Sequence, residues 1–234
     1  MNEKANEYSW FPLIVVACAS FIIVLDSFFM NVSISRIVVD LNADVSTIQM
    51  IVSFCTLITA ALILFSTKLQ DIVGKKKLFV IGAALFGIGI FAAVLSSSVV
   101  MFFVGWAAIK GVAAALMLPA IVSIISGTYS GKKRTIALAT LGVMAVLADT
   151  LAPLIGGLIT TYLSWRYTFA FELIFILFIL VMQNKIPDFK PTESKSDLDI
   201  IGAIFSGICL LLLVLGILTL TKDVATSIIE IILG

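Results

Sequence analysis

The sequence predicts an all-α protein that crosses a membrane several times, and two observations carry that prediction. The 234-residue chain is 61% hydrophobic and only 12% charged, with a mean hydropathy of +1.20. A soluble domain has about 25% charged and 45–50% apolar residues. Several apolar runs also reach the ~20 residues that cross about 30 Å of hydrocarbon as a helix. Because backbone groups in lipid must be paired within their own segment, each run is expected to be helical.

The composition also excludes several kinds of site. The chain has no histidine, and its three cysteines, Cys18, Cys55 and Cys209, lie inside apolar runs without CxxC spacing. A histidine-based metal site or nucleophile is therefore excluded, and any proton relay must use carboxylates. The net charge of +1 gives no basic surplus for binding nucleic acid. We expect no metal, no cofactor and no enzymatic activity.

Seven apolar runs are long enough to span, and they divide the chain into three parts. The first six runs cover about 12–34, 48–66, 78–95, 99–125, 136–160 and 167–183, which predicts a six-helix bundle over residues 1–183. A charged stretch with two prolines predicts a cytoplasmic linker over 184–199. Residues 200–234 hold a seventh span, about 200–220, and an apolar run from Val224 that stops at Gly234, too short to cross.

The lysine and arginine residues predict the orientation of the chain. Eleven of them lie in the N-terminal tail and in every second connection, whereas the alternate connections hold three. Short loops rich in Lys and Arg stay in the cytoplasm. The N-terminus is therefore predicted to be cytoplasmic, in a protein integral to the cell membrane.

A polar stretch between spans 2 and 3, residues 67–77, carries the first specific motif. Its sequence Leu69-Gln-Asp71-Ile-Val-Gly74-Lys75-Lys76 resembles the G-x-L-A-D-R-x-G-R-K loop of the major facilitator superfamily. Glycine permits a turn with positive φ, and Asp71 can cap a helix or pair with a cation. The resemblance implies the N-terminal six-helix half of that transporter fold, with this loop as a gating latch. The alternative is a loop that only fixes orientation.

Span 5 contains a second motif, Ala148-x-x-x-Ala152-Pro153-x-x-Gly156-Gly157. It is similar to the G-x-x-x-G-P-x-x-G-G motif of the drug:proton antiporters of the family, with alanine at both early glycines. Small residues allow close helix packing and an interior proline kinks a helix, so a plain packing role is the overlapping alternative.

Span 1 contains Asp26 and Asn31 in a stretch, Leu25-Asp26 to Ile34, that is similar to the L-D-x-T-x-x-N-V-A-L-P stretch of the fourteen-span branch of these antiporters. A carboxylate at membrane depth costs about 2.5–3.5 kcal/mol or more and normally faces protein or a wet cavity. Asp26 is therefore predicted to couple protons or to recognise a cationic substrate. The alternative is a solvated carboxylate near the outer interface, since Asp26 lies about two-thirds along the predicted span.

Span 4 departs from the family pattern R-x-x-Q-G. Here Lys110-Gly111 replaces the Gln-Gly pair and the arginine is absent. Because a shift of three residues keeps a cation on nearly the same helix face, Lys110 is predicted to pair with Asp26 or Asp149. The alternative is a lysine tolerated in a wet cavity.

The remaining charged residues within or beside spans 5 and 6 have more than one interpretation. Asp149 is a second proton or cation site, or a static partner of Lys110. Glu172 is predicted to be an interfacial residue. Trp165-Arg166 resembles the W-R-W/Y turn that opens span 6 of the fourteen-span branch, and Arg134 belongs to the basic loop 127–135.

These resemblances imply proton-coupled efflux of small amphipathic or hydrophobic compounds such as drugs, driven by the proton gradient in contact with membrane lipid. The family transports with two six-helix halves. We therefore expect a truncated transporter, or one that pairs with a second half-transporter or a second copy. The alternative is a half-bundle that binds or assembles without transporting.

Overall fold

The protein is described by a computed structural model over residues 9–189 and at the isolated positions 205, 208, 209, 212 and 216. Within 9–189 the chain forms six long helices without a β-strand: α1 Phe11–Asp40, α2 Val45–Val73, α3 Lys75–Val94, α4 Val99–Thr128, α5 Gly131–Tyr162 and α6 Trp165–Met182. All six are long and apolar enough to cross a membrane, which confirms the six predicted spans. The predicted seventh span and most of the linker lie outside the described residues.

The helices are longer than the apolar runs that predict them. α1 continues to Asp40, although the sequence predicts a polar connection from Arg36 onward. Most of the polar stretch 67–77 is also helical, so that Gly74 alone separates α2 from α3. The predicted loop 127–135 is reduced to Tyr129 and Ser130. Hydropathy detects only the part of a helix in hydrocarbon, whereas a 30-residue helix rises about 45 Å and also crosses the headgroup regions.

The connections follow from local turn chemistry. Gly74 has φ of 101°, which confirms the predicted positive φ at this position. The Ser98 side chain accepts a hydrogen bond from the N–H of Met101 where α4 begins. Ser164 does the same for the N–H of Arg166 at the start of α6. Serine caps of this kind satisfy donors that a helix start leaves unpaired.

The six helices differ in how deeply they are buried. The most apolar stretches of α1 and α4 are 61% and 56% buried, whereas those of α2 and α5 are 22% and 11% buried. α1 packs mainly against α5 and α6, and α4 packs against α2 and α3. The core of the bundle therefore lies around α1 and α4, which carry Asp26 and Lys110.

α4 is not a regular helix throughout. Residues Phe103–Ile109 form a π-helical segment between two α-helical parts. At this level α3 and α4 touch through their backbones: a Cβ on Gly89 would lie 2.7 Å from the Gly105 carbonyl oxygen, and one on Gly105 would lie 2.8 Å from the backbone nitrogen of Ala93. π-helical turns often occur at functional sites, and this one ends immediately before Lys110.

Candidate functional site

The centre of the bundle holds a buried ion pair. The Lys110 ammonium group donates to Oδ2 of Asp26, and the two side chains are 5% and 1% exposed. Asp26 lies near the middle of α1, because that helix extends beyond the predicted span. The interpretation of Asp26 as a solvated carboxylate near the outer interface is therefore wrong. Charges at this depth persist only when they are paired, and each group here compensates the other.

Trp106 braces both members of the pair. Its indole Nε1–H donates to Oδ1 of Asp26 at 3.0 Å, so both carboxylate oxygens have a donor. The Lys110 nitrogen also lies 3.4 Å from the centroid of the Trp106 ring, a cation–π contact. Sequence reasoning missed Trp106. The available signal was its position four residues before Lys110, which places both side chains on one helix face.

A cavity of about 600 Å³ opens beside the ion pair, a size that suits a small molecule. Its wall is mainly apolar. The charged groups are those of Asp26 on α1 and Lys110 on α4, and α2 contributes hydroxyl and thiol groups. It is lined by Ile23, Asp26, Ser27, Cys55, Thr56, Thr59, Ala60, Ile63, Leu64, Phe86, Lys110, Ala114 and Leu118. An apolar wall around one ion pair can hold an amphipathic compound and orient a polar or charged group of it.

Gly111 allows α2 to approach α4 closely at this cavity. A Cβ on Gly111 would lie 3.1 Å from the carbonyl oxygen of Cys55. The Thr59 hydroxyl lies 2.9 Å from that same oxygen and 3.1 Å from the Gly111 carbonyl oxygen. Gly111, predicted as a motif residue, thus lets the wall of the cavity form next to Lys110.

Glu172 on α6 is also buried, and the prediction that it is interfacial is wrong. The residue is 0% exposed, and neither carboxyl oxygen has a hydrogen-bond partner among the described residues. It interacts electrostatically with Asp26 and Lys110. Its burial could not be predicted from its position early in α6, because the distance of a residue from a helix end does not tell which face of the helix points inward.

Asp149 lies on the exposed face of α5, apart from the ion pair. Lys110 pairs with Asp26 instead, so the interpretation of Asp149 as a static partner of Lys110 is wrong. Its role as a second proton or cation site stays a prediction.

The small residues of α5 form the surface that packs on α1. Ala148, Ala152 and Gly156 recur every four residues and are all buried. A Cβ on Gly156 would lie 2.9 Å from Cδ1 of Phe29, whereas one on Gly157 would meet nothing within 4 Å in the described part of the chain. α5 remains one helix across the exposed Pro153. These contacts match the packing role predicted for the motif.

The Trp165-Arg166 turn connects three helix ends. Arg166 pairs with Asp40 at the end of α1 and donates to the Ser96 carbonyl oxygen between α3 and α4 at 2.7 Å. The buried Trp165 donates to Asp40 at 3.0 Å. Its ring also lies against Phe102, which stacks on Trp106. An aromatic column therefore joins this turn to the buried ion pair.

The predicted latch residues lie at the opposite end of the bundle. Asp71 is half-buried in the last turn of α2, and α3 begins after Gly74 without a side-chain cap, so Asp71 does not cap that helix. Lys75 lies 5.5 Å from the ring centroid of Phe189, and Lys76 pairs with Asp188 at 3.3 Å. The remaining motif residues Asn31 and Arg134 are exposed.

Comparison with known families identifies the fold. The model of the Major Facilitator Superfamily matches residues 16–221. The chain belongs to this superfamily. Solved structures with the same fold include a peptide transporter POT in complex with sulfate, with a TM-score of 0.67 and 18% identity over 93% of this chain and 48% of that one. The predicted fold class is thereby confirmed.

Several curated members of the superfamily resemble this chain. The cephamycin export protein CmcT of Amycolatopsis lactamdurans is 30% identical over 87% of this chain and 43% of its own length. The riboflavin transporter RibZ of Clostridioides difficile is 25% identical over 88% and 45%. The quinolone resistance protein NorB of Staphylococcus aureus is 31% identical over 76% and 37%. The chain thus spans less than half the length of these relatives.

Proposed function

We propose that this chain forms the first six-helix half of a proton-coupled exporter of small amphipathic or hydrophobic compounds. The family and the names of its relatives support transport as the class of activity, and the buried Asp26–Lys110 pair supports proton coupling. Transport in this fold uses two halves that move about a midplane site. The proposal therefore includes a second half, whether from the same polypeptide, another chain or a second copy.

The buried ion pair beside the cavity is the observation that carries the proposal. In the ion pair, the positive charge of Lys110 neutralises the negative charge of Asp26. When a proton binds Asp26, the lysine loses its anionic partner, and the charge balance at the cavity changes by one unit. A cationic compound in the cavity changes that balance in the same direction. Proton and compound therefore compete, which is the requirement for exchanging one against the other.

The other parts of the proposal follow from the same ion pair and from the family. The protein carries out transport rather than covalent chemistry, and the proton gradient supplies the driving force without a cofactor. It lies in the cell membrane with its N-terminus in the cytoplasm, as the distribution of Lys and Arg predicts.

Reconstituted vesicles test this proposal. The protein with both halves of the transporter is placed in proteoliposomes with an imposed pH gradient, and uptake of a fluorescent lipophilic cation is followed. We expect gradient-dependent uptake that Asp26→Asn abolishes. Asp44→Asn is the matched control, because it removes an exposed carboxylate in the turn between α1 and α2, outside the ion pair. Uptake that is independent of the gradient, or equal in Asp26→Asn, contradicts the proposal.

A second candidate is a half-bundle that binds such compounds without moving them. The observation that favours it is that the cavity and the ion pair both lie within this bundle. Saturable binding of the lipophilic cation by the purified chain, with no uptake in the vesicles, would select this candidate.

A further inference from the structure

Among the described residues, Glu172 is the one buried carboxylate that the proposed function leaves unused. It is fully buried in an apolar helix, and neither of its oxygens accepts or donates a hydrogen bond within the described structure. A buried polar group normally has a partner, and an unpaired buried charge is costly enough that the group becomes neutral instead. Glu172 therefore requires either a proton or a cation.

Contacts between α1 and α6 place Glu172 at the level of Asp26. Phe21 of α1 meets Phe175 of α6 with centroids 5.6 Å apart, and Phe29 meets Phe171 at 6.4 Å. Residue numbers thus rise along α1 as they fall along α6. Asp26 lies between Phe21 and Phe29 on α1. Glu172 lies between Phe171 and Phe175 on α6, so both carboxylates occupy the same layer of the bundle.

A second set of contacts reaches the same layer from α4. Trp106, which donates to Asp26, stacks on Phe102 with centroids 6.1 Å apart. Phe102 in turn contacts Phe169 at 6.4 Å. Phe169 lies three residues before Glu172 on α6 and is therefore on the same helix face.

The charged groups that act on Glu172 are Asp26 of α1 and Lys110 of α4. Within residues 9–189, the other helices packed on α6 add none nearby. The charges of α3 are confined to Lys75–Lys77 in its first turn, and those of α5 are the basic residues of its first turn and the exposed Asp149. The layer thus holds two carboxylates and one ammonium group, and it is neutral when the carboxylates share a single proton.

We propose that Glu172 is a second proton-binding site of this layer and the alternative partner of Lys110. In one state Glu172 holds the proton while Lys110 pairs with the Asp26 carboxylate. In the other state the proton has left the Glu172 carboxyl and bound Asp26, and the ammonium group has moved to Glu172. The net charge is zero in both states, so neither leaves an uncompensated charge in the bundle.

The two carboxylates that exchange the proton differ in their access to the cavity. Asp26 lines the cavity, whereas Glu172 does not. Glu172 can therefore hold a proton away from the compound while Asp26 is ionised at the cavity. The inference deepens the proposed function, and its test does not depend on transport.

Infrared difference spectroscopy of the purified chain in lipid nanodiscs tests the proposal, because the carbonyl stretch of a protonated carboxyl group is separate from the carboxylate bands. At neutral pH we expect a protonated carboxyl band that Glu172→Gln removes. Asp26→Asn should also remove it, since Lys110 is then free to pair with an ionised Glu172. Asp44→Asn, a change at an exposed carboxylate in the turn between α1 and α2, should leave the band unchanged.

The same spectra can contradict the proposal in two ways. A wild-type spectrum without the band shows that Glu172 is ionised beside the intact ion pair, which overturns the proposal. A band that survives in Asp26→Asn shows that Glu172 does not exchange partners with Asp26. Thermal melting of each variant verifies that it is folded, and Asp26→Asn still tests the exchange where Glu172→Gln fails to fold. Failure of vesicle uptake would refute the transport proposal and leave this spectrum unaffected.

Discussion

At the scale of single residues, the centre of the bundle depends on how Trp106 and two oppositely charged side chains compensate one another. Asp26 accepts from Lys110 and from Trp106, and the lysine lies over the indole ring. Removing one member of a buried ion pair leaves the other as an uncompensated charge, whereas removing both also removes the cost of desolvating the two charges. The energetics of these residues are therefore expected to be strongly non-additive.

A double-mutant cycle tests that expectation. Lys110→Met should lower the free energy of unfolding by about 3–5 kcal/mol, because it leaves the buried Asp26 without its cation. Asp26→Asn should lower it by less, because Lys110 can then pair with Glu172. The double variant should lose less than the sum of the two, as measured by denaturation of the purified protein in detergent. Additive losses would mean that the two side chains act independently, against the structure.

Trp106→Phe separates the hydrogen bond from the ring contact. The phenyl ring keeps an aromatic face for Lys110 but loses the N–H that donates to Asp26. A hydrogen bond to a charged group contributes about 1.5–3 kcal/mol, so a lower melting temperature is expected. Trp10→Phe is the control, since Trp10 is 42% exposed and lies away from the pair. Equal melting of the two variants would contradict the bracing role of Trp106.

Sequence reasoning reaches part of this site and misses the rest for a physical reason. Asp26 and Lys110 are predictable as partners because a charge in a membrane span requires one. Asp149 and Glu172 are both carboxylic acids within apolar helices, yet the structure exposes the first and buries the second. In an apolar helix without a polar face, the residue pattern carries little information on which side points inward. The role of Trp106 as a partner of the ion pair is not predictable, because a tryptophan in a membrane span is also typical of plain helix packing.

At the scale of helices, close packing depends on residues without a side chain. α1 and α5 meet where Gly156 faces Phe29, and α3 and α4 meet at Gly89 and Gly105. The small-residue motif of span 5 predicts the first contact. No motif predicts the second, because the π-helical segment Phe103–Ile109 changes which residues of α4 face α3. Hydropathy also underestimates the extent of the helices, since their ends are polar.

Two adjacent glycines of α5 provide a matched test of the packing. A methyl group at Gly156 would lie 2.9 Å from Phe29, whereas one at Gly157 would meet nothing within 4 Å among the described residues. Gly156→Ala should therefore destabilise the bundle by about 1–3 kcal/mol through overpacking. Gly157→Ala should be neutral or slightly stabilising, because alanine favours the helix. Thermal melting of both variants checks this, and a reversed order would contradict the α1–α5 interface.

At the scale of the whole molecule, all connections on one side of the bundle should share one face of the membrane. The turn at Gly74, the turn at residues 129–130 and the start of α1 lie on the side predicted to be cytoplasmic. The turns near Ser97 and Leu163 lie on the other side. This follows from six spanning helices joined by short turns, together with the excess of Lys and Arg on one side.

Single cysteines test the orientation. In a background in which the native cysteines are replaced, Ser97→Cys and Leu163→Cys should react with a membrane-impermeant maleimide in intact cells. Ser130→Cys should react only after the cells are opened. Labelling of Ser130→Cys in intact cells would reverse the orientation.

The proposed function requires that protons and compound compete at the layer of Asp26 and Lys110, and proton release on binding measures that competition. A lipophilic cation is added to the purified chain in weakly buffered detergent solution, and the pH is recorded. Binding by the wild-type protein should release protons and binding by Asp26→Asn should release none, whereas Asp44→Asn, in the exposed turn between α1 and α2, should behave like wild type. Binding without proton release in the wild type, or equal release by Asp26→Asn, would show that the two do not compete there.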